Sequence, residues 1–307
     1  MLALAERLGQ YKVEGLKSRP IASGKLVRVV GLTLEATGCK APIGSLCLVE
    51  TMSGHMEAEV VGFSGDNLFL MPSEQITGIL PGARVTPMTS ESGIPVGMEL
   101  LGRVIDGVGN PLDGLGPLYT ENRASFNAEP INPLARKPIS EPLDVGLKAI
   151  NGLLTVGKGQ RIGLFAGSGV GKSSLLADLA RGVTADVIVI ALVGERGREV
   201  RQFTEKVLGP AGMARTIVIA ATSDRAPQVR RRCAWAATAV AEHCRDAGLR
   251  GLLLADSVTR DCEAHREIAV VGGEQANLRG YPPSTAGAIA SLCERAGPGT
   301  EQSGDIT

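Results

Sequence analysis

Arg161-Ile162-Gly163-Leu164-Phe165-Ala166-Gly167-Ser168-Gly169-Val170-Gly171-Lys172-Ser173-Ser174-Leu175-Leu176 is the stretch whose reading decides the fold. An apolar run passes into a glycine-rich loop and then into residues with helical periodicity. The pattern predicts a buried strand over Arg161–Ala166, a P-loop, and a helix over Lys172–Arg181. Glycines let the backbone curl until several N–H groups converge on phosphate oxygens, and the helix adds its positive end. Lys172 supplies a full charge for the β- and γ-phosphates, and the Ser173 hydroxyl is a ligand for Mg²⁺. Gly167, Ser168, Gly169, Val170, Gly171, Lys172, Ser173 and Ser174 are therefore the candidate ATP-binding set. Ala166 holds the first position of the pattern where glycine is usual, a mild change at the end of a strand.

Outward from this stretch, strands alternate with helices. Apolar runs at Asp186–Val193, Thr216–Ala221 and Gly251–Ala255 predict further buried strands. Helices are predicted over Arg198–Leu208, Gln228–Asp246 and Ser257–Val271. Such alternation implies an α/β domain with a doubly wound parallel sheet, whose ligands sit beyond the carboxyl ends of the strands. Two carboxylates fall at such ends. Glu195 follows Val187–Val193 and is suited to orient and polarise an attacking water. Asp256 follows Leu252-Leu253-Leu254-Ala255 and has the form of a Walker-B acid holding Mg²⁺ through water.

The first part of the chain reads differently. Between Gly24 and Pro87, runs such as Lys25–Val30, Leu46–Val49, Ala58–Phe63 and Asn67–Leu70 are split by Gly, Asn, Asp and Pro. Short strands at this spacing predict a small β-barrel or sandwich, of which the barrel is the expectation carried forward. Leu4, Leu8 and Tyr11 stand at helical spacing ahead of Gly15 and Pro20, which predicts a short amphipathic helix. The division expected is a helical arm over 1–20, a barrel over 21–90 and a P-loop domain over 91–307. Within the last, a Gly- and Pro-rich connector over 88–145 carries further short strands, one of them in Leu100–Ile105.

Bulk properties exclude several classes. Lysine plus arginine equals aspartate plus glutamate at 32 each, so no positive field advertises nucleic acid. Aromatic residues are 3% of the 307, poor for stacking bases. No stretch approaches the ~20 apolar residues of a membrane helix, and Met1–Arg7 lacks the order of a secretory signal. The cysteines Cys39, Cys47, Cys233, Cys244, Cys262 and Cys293 are scattered without a C-x-x-C pair, as expected of reduced packing residues in a cytosolic protein.

With these residues in place, the chain resembles the flagellar protein-export ATPases, within the wider group of type III secretion ATPases and rotary ATP synthase catalytic subunits. The resemblance runs through Val30–Gly38, Phe69–Pro72, Gly78–Ala83, Leu101–Gly107, Gly163–Ser173 and Val193–Val200. Alanine at position 166 is the family's usual residue, and Leu32–Gly38 favours the flagellar branch over the virulence branch. The resemblance implies a cytoplasmic homohexameric ATPase, peripheral to the membrane at the base of the export apparatus, with nucleotide between subunits. It implies a regulatory stator-like partner bound through residues 1–20, and substrate–chaperone complexes as further partners. By the same match Lys172, Glu195 and Arg196 are catalytic, Glu199 neighbours the water site, and Ser173 and Asp256 serve the metal.

Departures from the family set the competing expectations. The family continues past Thr307 with final strands, a helical domain and an arginine finger. Without these the sheet would keep a raw edge and hydrolysis would be feeble, as in a nucleotide-binding homologue with little turnover. Asp261-Cys262-Glu263-Ala264-His265 replaces a segment with an aromatic residue and a glutamine, and His265 is predicted exposed. Arg230-Arg231-Arg232 stands where the family is apolar and is predicted to be a solvated helix start. Gly280–Ser284 matches a family loop at the ring's central channel, and reads locally as a rigid turn. A hexameric RNA helicase shares the motor core, but Tyr11, Phe63 and Phe69 are too few for an RNA platform.

Overall fold

Apolar and polar residues alternate through the short runs after Gly24, and the chain curls them around one shared core. A computed structural model describes residues 22–88, 93–167 and 170–307, the Leu278 side chain excepted. The helix expected within 1–20 lies outside the described residues. Strands β1 (Gly24–Val30), β2 (Thr33–Thr37), β3 (Leu46–Thr51), β4 (Gly54–Ser64), β5 (Asn67–Pro72) and β6 (Arg84–Pro87) close a barrel in the order β1-β2-β5-β4-β3-β6. Every neighbouring pair is antiparallel. Leu34, Ala36, Cys47, Val49, Ala58, Val60, Leu70 and Val85 fill its interior, one residue in two as the pleat requires. The predicted barrel stands.

The connector contributes β7 (Gly93–Val96), β8 (Val104–Ile105), β9 (Asn122–Ser125), β10 (Pro142–Leu143), α1 (Lys148–Leu153) and β11 (Val156–Gly157). Strand β8 is the surviving part of the strand expected in Leu100–Ile105, and it joins the main sheet beside a later strand. Beyond it follow α2 (Lys172–Gly182), β12 (Val187–Glu195), α3 (Gly197–Gln202), α4 (Gly209–Met213), β13 (Thr216–Thr222) and α5 (Pro227–Asp246). The last elements are β14 (Arg250–Asp256), α6 (Val258–Val271), α7 (Ser284–Arg295), β15 (Gly297–Pro298) and β16 (Asp305–Ile306). The helix expected over Arg198–Leu208 is α3 continued by a π-helical turn at Phe203–Leu208.

Among the described residues the main sheet runs β15-β16-β14-β12-β13-β8, parallel except for β15 against β16. Central strand β12 is apolar from Val187 to Val193 because both its faces are covered there. Val187, Val189, Ala191 and Val193 pack with α5, while Ile188, Ile190 and Leu192 pack with Leu176, Ala177 and Ala180 of α2. This is the doubly wound arrangement.

Arg161–Ala166 is a correction. The segment forms no strand, and Ile162, Leu164 and Phe165 are exposed. Gly159 donates to Thr307 Oγ1 and Arg161 pairs with Glu294, so the segment starts beside β16. That strand is two residues long and already paired on both edges, by β14 and β15, so it has no free edge to offer.

The arginine triplet is a second correction. Arg232 is buried and pairs at 2.7 Å with Glu59 of the barrel. Arg230 makes a bidentate contact with Glu267 of α6, and Arg231 lies 5.8 Å from the Trp235 ring centre. Beside them Gln228 Nε2 donates to the backbone oxygens of Met71 and Pro72. The start of α5 is thus a joint between barrel and sheet, where buried charge is tolerated because it is paired.

At the far end of α5, Glu242 accepts two bonds from the fully buried Arg295 of α7, at 3.0 and 2.5 Å. Arg295 also donates to Phe126 O. All six cysteines are free, five of them buried in packing positions. No described helix is long and apolar enough to cross a membrane.

Candidate nucleotide-binding site

Parallel strands in register bring their carboxyl ends together, and the site forms there. Asp256 at the end of β14 is level with Leu192 of β12, and β12 continues to Glu195. Helix α2 starts opposite at Lys172. Its N-cap is Gly171, at φ 96° and ψ 16°, a left-handed conformation that glycine adopts without strain. No side chain caps the helix, which leaves its first-turn N–H groups available to an anion. Gly167 and Gly171 have open space where a Cβ would stand. Val170, Ser173 and Ser174 are exposed around the same mouth. The assignments to Ser168 and Gly169 lie outside the described residues.

Lys172 Nζ reaches across to Asp256 Oδ1 at 2.5 Å. The carboxylate is buried and the lysine partly open, so the pair closes the site from the floor. An incoming phosphate competes with Asp256 for this ammonium. Ser173 and Asp256 offer a hydroxyl and a carboxylate, an all-oxygen donor set that suits a hard cation such as Mg²⁺. They fit the metal that a nucleoside triphosphate brings.

Glu195 is half-buried at the tip of β12. Burial pushes its carboxyl up to about 7, and a side-chain hydrogen bond with Glu199 works in the same direction. Glu199 is held below its ordinary value by that same bond. Burial thus favours the protonated form at Glu195, and the hydrogen bond between the two favours the ionised form at Glu199. Arg260, in the first turn of α6, opposes the shift from 3.3 Å and also donates to Gly194 O. Gly194 matters here: a Cβ would lie 3.1 Å from Arg260 Cδ, and its φ is 66°. Arg196 is exposed at the N-cap of α3, its carbonyl accepting the Glu199 N–H at 2.8 Å.

Lys172, Asp256, Glu195 and Glu199 are therefore brought together from four elements, α2, β14, β12 and α3, with Arg196 at the rim. Arg260 is the residue that sequence reasoning missed. Its signal was the four-residue step from Asp256, which places it one helical turn past a strand tip. His265 corrects another expectation: it is half-buried, with Nε2 bonded to Ser284 Oγ at 2.8 Å.

Residues 146–307 match the model of the ATP synthase alpha/beta family, nucleotide-binding domain. The chain belongs to that family. Within it, the chain is 50% identical over 99% of its length to the flagellum-specific ATP synthase of Pseudomonas aeruginosa, covering 69% of that protein. Its identity to the flagellum-specific ATP synthase of Salmonella typhimurium is 52%, over 92% of this chain and 65% of the relative. The chain spans about two thirds of the length of these relatives. The type 3 secretion system ATPase of Xanthomonas euvesicatoria is 45% identical. Among solved structures, the assembled ATPase EscN of the enteropathogenic E. coli type III secretion system superposes with a TM-score of 0.86 at 41% identity. That match covers 92% of this chain and 68% of the other. EscN has also been solved in complex with its central stalk EscO. Family member, barrel and sheet agree with the fold expected from the residues.

Proposed function

We propose that this chain binds Mg-ATP at Gly167–Ser174 and hydrolyses it in the service of flagellar protein export. The reading rests on one observation above others: Lys172, Asp256 and Glu195 converge from α2, β14 and β12. Lys172 leaves Asp256 to hold the β- and γ-phosphates. Glu195 positions a water against the γ-phosphorus and takes its proton as the new P–O bond forms and the bond to the β-phosphate oxygen breaks. Glu199 accepts a hydrogen bond from that carboxyl, and Arg260 and Arg196 keep positive charge beside it. Ser173 and Asp256 would hold Mg²⁺, which would neutralise phosphate charge.

The assembled EscN relative supports an oligomer, read as a homohexamer with nucleotide between subunits, and its complex with the central stalk EscO supports a stalk-like partner. Residues 1–20 are the proposed contact for a regulatory stator-like protein. The domain division 1–20, 21–90 and 91–307, the export apparatus with its substrate–chaperone complexes, and a cytoplasmic place at its membrane base belong to the same reading.

A second reading, nucleotide binding with little turnover, is favoured by the exposed run Ile162–Phe165, which leaves the loop without a sheet strand behind it. ATPase assays at rising protein concentration separate the two. Intersubunit catalysis gives a rate per chain that climbs with assembly; a flat baseline removes the hydrolytic reading.

Glu195→Gln should keep ATP binding and lower turnover by about 10²-fold or more, the usual worth of a positioned base. In the unmodified chain turnover should climb as pH rises through about 7, because Glu195 must be ionised to accept a proton. An unchanged rate in the variant would show that another group positions the water.

A further inference from the structure

Glu59 Oε2, Ser73 Oγ, Gln228 Oε1 and Arg232 Nη1 are sealed from solvent at the joint between the barrel and α5, and among the described residues none has a hydrogen-bond partner. Contacts on both sides of the joint place them together. Glu59 of β4 stands opposite Met71 of β5 in the antiparallel ladder, so both side chains leave the barrel on one face. Ser73, two residues past Met71 and bonded through its N–H to Glu57 O, shares that face. Helix α5 lies against it. Gln228 Nε2 donates to Met71 O at 3.1 Å and to Pro72 O, next to Ser73. One turn further on, Arg232 Nη2 lies 2.7 Å from Glu59 Oε2.

These contacts fix which atoms face the interior of the joint. Two backbone carbonyls must meet the NH₂ end of the Gln228 amide, so its oxygen points away from them. Close as the ion pair is, Glu59 Oε2 accepts no aligned hydrogen bond from it. The set is then two acceptors, Glu59 Oε2 and Gln228 Oε1, and two donors, the Ser73 hydroxyl and Arg232 Nη1–H. Complementary groups share one sealed place without bonding each other. Left so, each carries a desolvation cost. An anion there would meet two acceptor oxygens, and a metal cation would meet a guanidinium. A molecule that gives two hydrogen bonds and takes two suits all four.

We propose that the joint holds one buried water, donating to Glu59 Oε2 and Gln228 Oε1 and accepting from Ser73 Oγ and Arg232 Nη1. Buried waters typically make about three such bonds, and this site offers a full complement. The water is held half by the barrel, through Glu59 and Ser73, and half by α5, through Gln228 and Arg232. It makes side chains that do not touch support one another across the joint.

The test uses the full chain. A crystal structure fine enough to show ordered water should place one oxygen within ~3.2 Å of at least three of the four atoms. Side chains bonded directly to each other there, or a space without density, overturn the proposal. In solution, Ser73→Ala, Gln228→Met and the double variant form a cycle read by urea denaturation. Loss of the Gln228 Nε2 bonds enters both of its Gln228→Met steps and cancels. Since Ser73 Oγ and Gln228 Oε1 are not bonded to each other, the coupling reports what lies between them. The two changes should be non-additive by about fivefold or more in the folding constant; additivity to within about twofold overturns the bridge.

Discussion

Replacing Lys172 by alanine should abolish the stabilisation of this chain by Mg-ATP. At a concentration about one hundred times its dissociation constant, a ligand contributes about 2.7 kcal/mol of folding stability, worth several degrees in melting temperature. Lys172 is the cation at the mouth of α2 in reach of a phosphate there, and its structural partner is Asp256. Without the ammonium, backbone amides alone face a triphosphate, beside a buried carboxylate that now repels it. The variant should also be less stable without nucleotide. That loss should fall short of the ~3–5 kcal/mol typical of breaking a fully buried pair, because Lys172 is partly exposed. Thermal melts with and without Mg-ATP make the measurement. An ATP-induced shift that survives in Lys172→Ala would contradict the site.

Glu242→Ala should cost more stability than any other single change proposed for this chain, at about 3–5 kcal/mol. Arg295 is fully buried and its guanidinium meets Glu242 twice, Phe126 O once and the Trp235 ring at 5.6 Å. Removing the carboxylate leaves a cation in the core with one carbonyl and one ring for company. The control is the double variant Glu242→Leu with Arg295→Met, which removes both charges and keeps the volume. It should be far milder, since apolar residues often replace a buried pair at little cost. Urea denaturation separates the outcomes; equal losses in the two variants would mean that packing, not charge, sets the effect.

The parts legible in the sequence were those with strong local patterns. The two-residue alternation of the barrel, the doubly covered β12 and the glycine loop ahead of α2 each declare themselves within a short window. The strand-end positions of Glu195 and Asp256 were legible because an apolar run that stops at an acid marks the carboxyl edge of a parallel sheet. What escaped depends on distant partners. Arg161–Ala166 has a strand's composition, but a strand also needs a neighbour, and β16 is already paired on both edges. Arg232 reads as a solvated charge until Glu59, far back in the barrel, is found beside it. Arg260 and His265 acquire their roles from Glu195 and Ser284, contacts that no local window contains.

Helix α5 grips the barrel at one end, the sheet along its length and α7 at the other. A clamp of this kind should make thermal unfolding a shared event. The barrel cannot melt first without stranding Arg232 and Gln228 in a sealed seam, and the sheet cannot melt first without stripping the barrel of its footing. Calorimetry should therefore record one endotherm, its van't Hoff and calorimetric enthalpies in agreement.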